Sequence, residues 1–100
     1  MWAGDMAKWK SRAHLEDHFE WHHRALGCRT IDEYDASAQE TIILGTPFTY
    51  RDPVTREPRV GYFHRESSRF TATDVDGYIR THFQTDEAHV AGLPLSTYRD

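Results

Sequence analysis

A cluster of histidines near the start of the chain offers the clearest chemistry in the sequence. The stretch HLEDHFEWHH, from His14 to His23, holds four of the seven histidines. His14, His18 and His22 follow one another at intervals of four residues, a spacing that aligns side chains along one side of a helix. Because histidine titrates near neutral pH, these residues could transfer protons or bind a metal ion.

Zinc binding is one interpretation of this cluster. Histidines four residues apart on a helix can hold zinc when a further ligand comes from elsewhere in the fold. The sequence contains no HExxH motif and a single cysteine, Cys28, so most of a usual ligand set is missing. We therefore predict no metal ligand and no cofactor, and a histidine-based zinc-binding domain stays as an alternative.

Acid–base cleavage of a phosphodiester requires fewer residues. In RNA, a base activates the 2′-hydroxyl, an acid protonates the leaving oxygen, and cations or hydroxyls hold the phosphate. The chain offers His18 and His22 from the cluster, and Arg80, Thr81 and His82 from the later stretch DGYIRTHF. A structural interpretation also stands, because a histidine on an apolar helix face is often a core residue with satisfied nitrogens.

The histidine cluster is predicted to lie on a helix, because apolar residues recur over positions 15–26 with a helical period. On this helix His22 lies within the apolar stripe and His18 lies at its flank. His14 and His23 are predicted to turn towards solvent.

A second helix is predicted directly after the first, which Gly27 should end. The stretch TIDE, from Thr30 to Glu33, has the form of a capping box, in which the carboxylate reaches back to the start of the helix. Its predicted buried face consists of Ile31, Tyr34, Ala38 and Ile42. Residues 45–47, a Gly-Thr-Pro sequence, should end this helix.

After Pro47 the pattern changes to the period of two that is typical of strands. The stretches FTYR, RVGYFH, RFTATDV and YIRTHF are predicted strands, and Asp76-Gly77 is a strong turn signal. The predicted fold class is α+β, with two N-terminal helices packed on a four-stranded antiparallel meander. Residues 1–100 should form one domain: a helical part at about 6–45, a sheet at about 47–84 and an irregular tail at 85–100.

Alternation along the last strand divides its side chains between the two faces of the sheet. Ile79, Thr81 and Phe83 are predicted to face the helices, and Arg80 and His82 to line the open face. Arg80 and Thr81 then cannot share a site unless a bulge or a sheet edge re-aims one of them.

Two locations for a site are therefore open. A cleft between the first helix and the last strand would use His18, His22 and Thr81. The open face would hold and stack RNA bases instead. Its side chains would include Arg80, His82 and Tyr62.

Composition narrows the class of partner. The formal charge of −4 argues against a broad surface for polyanions, so DNA is not expected. No run of residues approaches a membrane span, and the N-terminus lacks the pattern of a secretory signal. With one cysteine, no internal disulfide is possible. We therefore expect a cytoplasmic protein without membrane partners.

Two stretches resemble a known family. HFEWHHRALGCRTIDEYDASAQETI and TYRDPVTREPRVGYFHRESSRFTATDVDGYIRTHF are similar to small C-terminal RNase toxin domains of bacterial polymorphic and contact-dependent systems, which belong to the barnase–EndoU–colicin–RelE-like nuclease group. The resemblance covers roughly residues 14–83. It implies two helices against a four-stranded antiparallel sheet and metal-independent cleavage of RNA. Carried over by position, it implies catalytic roles for His18, His22 and Thr81, with Arg80 beside them.

The sequence departs from this family in two respects. QTD follows Phe83 where the family often has a basic residue and a proline, and the chain is acidic whereas such toxins are frequently basic.

The predicted function is that of an endoribonuclease-like toxin domain that cleaves RNA, with tRNA as one candidate, by acid–base transesterification. Its predicted catalytic residues are His18, His22, Arg80 and Thr81, and its substrate-binding residues are Tyr62 and His82. Its partners would be RNA and a cognate immunity or antitoxin protein, and it could be delivered within a larger secreted protein to act on intracellular RNA. The alternative is a non-catalytic interaction module, which an exposed cluster of Trp2, Trp9 and Trp21 would favour.

Overall fold

The computed structural model describes residues 6–94 and contains two main helices followed by an antiparallel sheet, which confirms the predicted α+β class. The helices are α1 (Arg12–Leu26) and α2 (Ile31–Leu44). The strands are β1 (Thr46–Arg51), β2 (Pro58–His64), β3 (Arg69–Asp74) and β4 (Ile79–Gln84), and they pair in chain order. A short 3₁₀ turn at Arg65–Ser67 joins β2 to β3. No helix within residues 6–94 is both long and apolar enough to cross a membrane.

The ends of α1 follow from its sequence. The Ser11 hydroxyl accepts a hydrogen bond from the His14 backbone N–H at 3.0 Å, which satisfies a donor at the start of the helix. Gly27 ends the helix as predicted, in a left-handed conformation with φ of 72°.

At the start of α2, the Thr30 hydroxyl accepts from the Glu33 N–H at 3.1 Å, as the capping box predicts. The Glu33 carboxylate accepts from the Arg29 N–H at 2.7 Å, one residue before the usual position. Tyr34 and Ala38 are buried as predicted, together with Ser37, Gln39 and Thr41.

The sheet has two faces with different contents. On one face, which we call the α2 face, His82 contacts Ser37 of α2 and the neighbouring Thr71 of β3. On the other, the open face, a cluster of aromatic rings forms a second small core. Its main members are Phe48, Tyr50, Phe70 and Phe83.

The chain before α1 is extended, not helical. The Ile79 N–H donates to the Lys8 carbonyl at 2.8 Å, and the Lys10 N–H donates to the Ile79 carbonyl at 3.2 Å. Trp9 forms a parallel bridge with Ile79, and its Nε1 donates to the Asp35 carboxylate at 2.9 Å. The helical part therefore begins at residue 12 and not at about 6, because these residues extend the sheet beside β4.

The tail also differs from its prediction. Residues Glu87–Ala91 form a third helix, α3, where an irregular segment was expected. The Asp86 carboxylate accepts from the His89 N–H at 2.9 Å, and Val90 and Leu93 pack against the aromatic cluster of the open face. Capping and this packing stabilise a single helical turn whose sequence has too few residues to show a period.

A bulge in β4 changes which way its side chains face. Ile79 lies opposite Thr73 of β3, whereas Thr81 lies opposite Ala72, so Arg80 is the extra residue. Beyond this point the alternation is reversed with respect to the sequence pattern.

The prediction for β4 is therefore correct for Ile79 and wrong for the residues after the bulge. Thr81 and Phe83 lie on the open face, and His82 lies on the α2 face.

Candidate active site

Three histidines of α1 form a continuous row beside β4. The ring centroids of His14 and His18 are 4.5 Å apart, and those of His18 and His22 are 5.7 Å apart. The row exists because residues four apart share one side of a helix. The prediction that His14 turns towards solvent is wrong, because α1 packs closely enough on β4 to half-bury this end of the row.

The row contacts β4 at the bulge. His14 Nε2 donates to the carbonyl oxygen of Arg80, and this bond holds the first turn of α1 against the strand. One turn later, His18 Nδ1 lies 3.3 Å from Thr81 Oγ1. The bulge is what allows the second contact, because it turns the Thr81 hydroxyl away from the α2 face.

Further along the row, His22 meets the ring of Phe83, with the centroids 5.5 Å apart. It is not among the side chains that line the cleft described next. The structure therefore brings His18 and Thr81 together as the helix–strand interpretation predicted, but places His22 beside an apolar ring.

A cleft of about 350 Å³ opens between α1, β4 and the connection from β1 to β2. Histidine and arginine side chains line one side of it, and aromatic rings of the open face line its floor. Its lining includes His14, His18, Arg80 and Thr81, the rings of Tyr50, Phe70 and Phe83, and Asp52, Arg59 and His89. Arg80 and Thr81 thus share one site, as the bulge alternative allowed.

Burial and positive charge together set the protonation state of His18. Its pKa is lowered from 6.5 to about 4, first by burial and then by the neighbouring His14, His22 and Arg80. Burial also lowers the pKa of His22. At neutral pH the His18 ring is therefore uncharged, and one of its nitrogens can accept a proton.

Arg80 supplies positive charge that is only partly neutralised. Its Nη1 lies 3.9 Å from Asp74 Oδ2, at the limit of an ion pair. Its Nε is buried with no hydrogen-bond partner among the described residues. Arg80 also lines the cleft, and a guanidinium whose charge is only partly neutralised there is suited to an anion such as a phosphate.

His82 is part of the core and not of an open surface. Its side chain is 0% exposed, with Nδ1 2.8 Å from Thr71 Oγ1 and Nε2 2.9 Å from Ser37 Oγ. Tyr34 donates its hydroxyl hydrogen to the His82 carbonyl. Burial lowers the pKa of His82 to about 3. The prediction that His82 lines the open face is therefore wrong, because the bulge turns its side chain inward.

Tyr62 is also placed away from the cleft. It pairs with Thr71 across β2 and β3, and directly opposed residues share one face of a sheet. Because Thr71 contacts His82 on the α2 face, Tyr62 lies there as well. The prediction that Tyr62 lines the open face is wrong.

The cleft residues that the sequence prediction missed include three histidine and arginine side chains, His14, Arg59 and His89. His14 carried a signal, because it has the same four-residue spacing from His18 as His22 does. Arg59 and His89 carried none, because their positions depend on how the β1–β2 connection and α3 fold over the open face. Arg59 is buried, and its Nη1 lies 3.0 Å from Glu57 Oε1.

A zinc site receives no support from the geometry of the described chain. Within residues 6–94, no three His, Cys, Asp or Glu side chains are grouped so that they could hold a metal ion. The rings of the histidine row follow one another along β4 instead of converging on a point.

Comparison with known proteins identifies no relative of this chain. No family model matches the chain, and neither a curated protein nor a solved structure shows significant similarity to it.

Proposed function

We propose that this chain is a metal-independent endoribonuclease-like domain that cleaves RNA in the cleft between α1 and β4. The observation that carries the proposal is the 3.3 Å contact between His18 Nδ1 and Thr81 Oγ1, with Arg80 in the same cleft. A base, a hydroxyl and a cation are the groups that a phosphodiester needs when its own 2′-hydroxyl is the nucleophile.

The proposed reaction begins at His18. With its Nδ1–H donating to Thr81 Oγ1, the neutral ring keeps a free lone pair on Nε2, which removes the proton of the 2′-hydroxyl. The 2′-oxygen then forms a bond to phosphorus while the bond from phosphorus to the 5′-oxygen breaks, which leaves a 2′,3′-cyclic phosphate. The 5′-oxygen takes a proton from a second histidine that lines the cleft, for which His14 and His89 are the candidates.

Arg80 and Thr81 act on the phosphate in this scheme. The guanidinium stabilises the negative charge that develops on the phosphate oxygens. The Thr81 hydroxyl fixes the orientation of His18 and keeps its own hydrogen to donate to the phosphate. The proposal also includes the toxin-like context implied by the sequence resemblance, with a cognate inhibitor protein as partner.

The experiment that tests this function compares two oligonucleotides of one sequence, in buffer with EDTA. One is RNA, and the other carries 2′-deoxy sugars throughout. We expect cleavage of the RNA alone, with products that end in a 2′,3′-cyclic phosphate on mass spectrometry. Cleavage of both, or of neither, would contradict the proposal.

Thr81 gives a prediction about orientation. Thr81→Val removes the hydroxyl but keeps the shape, and we expect kcat for RNA cleavage to fall about 10- to 100-fold because His18 loses its orienting partner. Thr81→Ser keeps the hydroxyl and should stay within a few-fold of the wild type. Equal losses in the two variants would show that the hydroxyl is not what matters.

A second function, that of an interaction module, is favoured by one observation. Met6, Ile43 and Leu44 are exposed apolar side chains that line one surface depression next to α2. Trp9 and Trp21 do not line this depression. Trp9 is half-buried, and its Nε1 donates a hydrogen bond to the Asp35 carboxylate. Trp2 lies outside the described residues.

A further inference from the structure

Trp21 is a large aromatic side chain that the fold leaves in solvent. It is 68% exposed, which is unusual for a residue that normally buries most of its surface. Its ring centroid lies 5.1 Å from that of His18, with an interplanar angle of 64°, and 6.3 Å from that of His22, at 81°. Trp21 therefore borders the histidine row without belonging to the core.

We propose that Trp21 is a stacking platform for an unpaired base of RNA, next to the phosphate that is cleaved. This inference rests on the function proposed above and specifies its substrate class as single-stranded RNA. Base–aromatic stacking is a common means of holding single strands, and it needs a ring with a free face. The Trp21 ring centroid lies 5.1 Å from that of His18, so a phosphate bound in the cleft beside His18 would place a neighbouring base next to the Trp21 ring.

The surroundings of Trp21 favour a nucleic acid over a protein partner. Protein interfaces bury aromatic anchors among other apolar residues. On α1, Asp17 lies about one turn before Trp21, Arg24 lies about one turn after it, and Glu20 directly precedes it. All three side chains are exposed. The two carboxylates would repel a phosphate backbone on the outer side of α1. The RNA strand must then approach Trp21 from the side of His18, which is also the side of the cleft.

Stacking on Trp21 requires an unpaired base, because only such a base has an accessible face. In a duplex the faces of the bases are covered by their neighbours, and proteins read mainly shape and backbone. A ring beside the cleaved phosphate can stack only on a base that has left such a helix. The platform therefore predicts a preference for loops or single strands over duplex.

The test uses steady-state cleavage of a fluorogenic single-stranded RNA by the full chain and three variants. Trp21→Leu keeps an apolar side chain but removes the ring, and we expect KM to rise about tenfold with kcat unchanged within about twofold. Trp21→Phe keeps a ring face and should stay within about threefold of the wild type. Val75→Ala, which shortens an exposed apolar side chain in the turn between β3 and β4, is the control and should change neither constant.

Binding measured in parallel separates this inference from the function on which it rests. A fluorescent oligonucleotide with 2′-fluoro sugars cannot be cleaved by transesterification, so its anisotropy reports affinity alone. If the wild type cleaves no RNA but Trp21→Leu weakens this binding about tenfold, the stacking inference holds and the proposed catalysis fails. If the wild type cleaves RNA and Trp21→Leu matches it in KM and in binding, the inference is wrong. A contact with a partner protein is then the explanation for the exposure of Trp21. A fall in kcat alone would also overturn it, because it would indicate an effect through His18.

Discussion

Replacement of His18 by alanine is expected to lower kcat/KM for RNA cleavage by a factor of about 10² to 10⁴, the range for loss of a general base. In the proposed reaction, His18 is the group that takes the proton of the 2′-hydroxyl. The matched control is His23→Ala on the same helix. The His23 Nδ1 donates to the Phe19 carbonyl at 2.8 Å, and its side chain does not line the cleft.

The pH dependence of the wild type provides the second readout of this prediction. His18 must be neutral to act as a base, and its pKa is about 4. The rate should therefore rise with pH up to a midpoint near 4 and be level through neutral pH as far as this group is concerned. A midpoint near 6.5, or a loss in His23→Ala as large as that in His18→Ala, would contradict the assignment.

Mild acid is expected to destabilise the fold through His82. The pKa of His82 is about 3 in the folded chain and 6.5 when the residue is exposed. Between these values the unfolded state binds more protons, so the free energy of unfolding falls as pH falls through 6.5 towards 3. From pH 8 to pH 5 the expected loss from His82 is about 2 kcal/mol. The lowered pKa values of His18 and His22 act in the same direction.

Urea unfolding at pH 8 and pH 5 measures this loss. His82→Gln should reduce the difference between the two pH values, whereas His89→Gln, at an exposed position on α3, should leave it unchanged. An NMR titration of the wild-type ring gives the pKa of His82 directly and does not depend on how well the variant folds. A titration midpoint near 6.5 would show that the side chain is not enclosed as described.

Much of the scaffold was predictable because it is encoded in local patterns. The helical period over residues 15–26, the cap at Thr30 and the turn at Gly77 each depend on residues close in the chain. The same holds for the limits of the strands, which came within about two residues of those observed. Such signals need no knowledge of what packs where.

The site was only partly predictable, because its decisive feature is a tertiary one. Nothing in YIRTHF marks Arg80 as a bulge. The bulge accompanies the pairing of Ile79 with Lys8 and Lys10 on one side and with Thr73 on the other. Strict alternation therefore assigned Thr81 and His82 to the wrong faces. The helix wheel had a similar limit, because it ranks positions by apolar neighbours and so overlooked His14.

The segment before α1 has a consequence for how the domain should be delimited. A strand with a free edge is open to pairing with other chains, and residues 8–10 occupy the free edge of β4 at Ile79. The Trp9 ring also lies 6.2 Å from His14 and 5.9 Å from His18, between the histidine row and α2. A domain boundary at Arg12, the first residue of α1, would remove the segment that covers the edge of β4. It would also remove the Trp9 ring that packs against the histidine row. The smallest autonomous unit of this protein therefore starts upstream of its first helix.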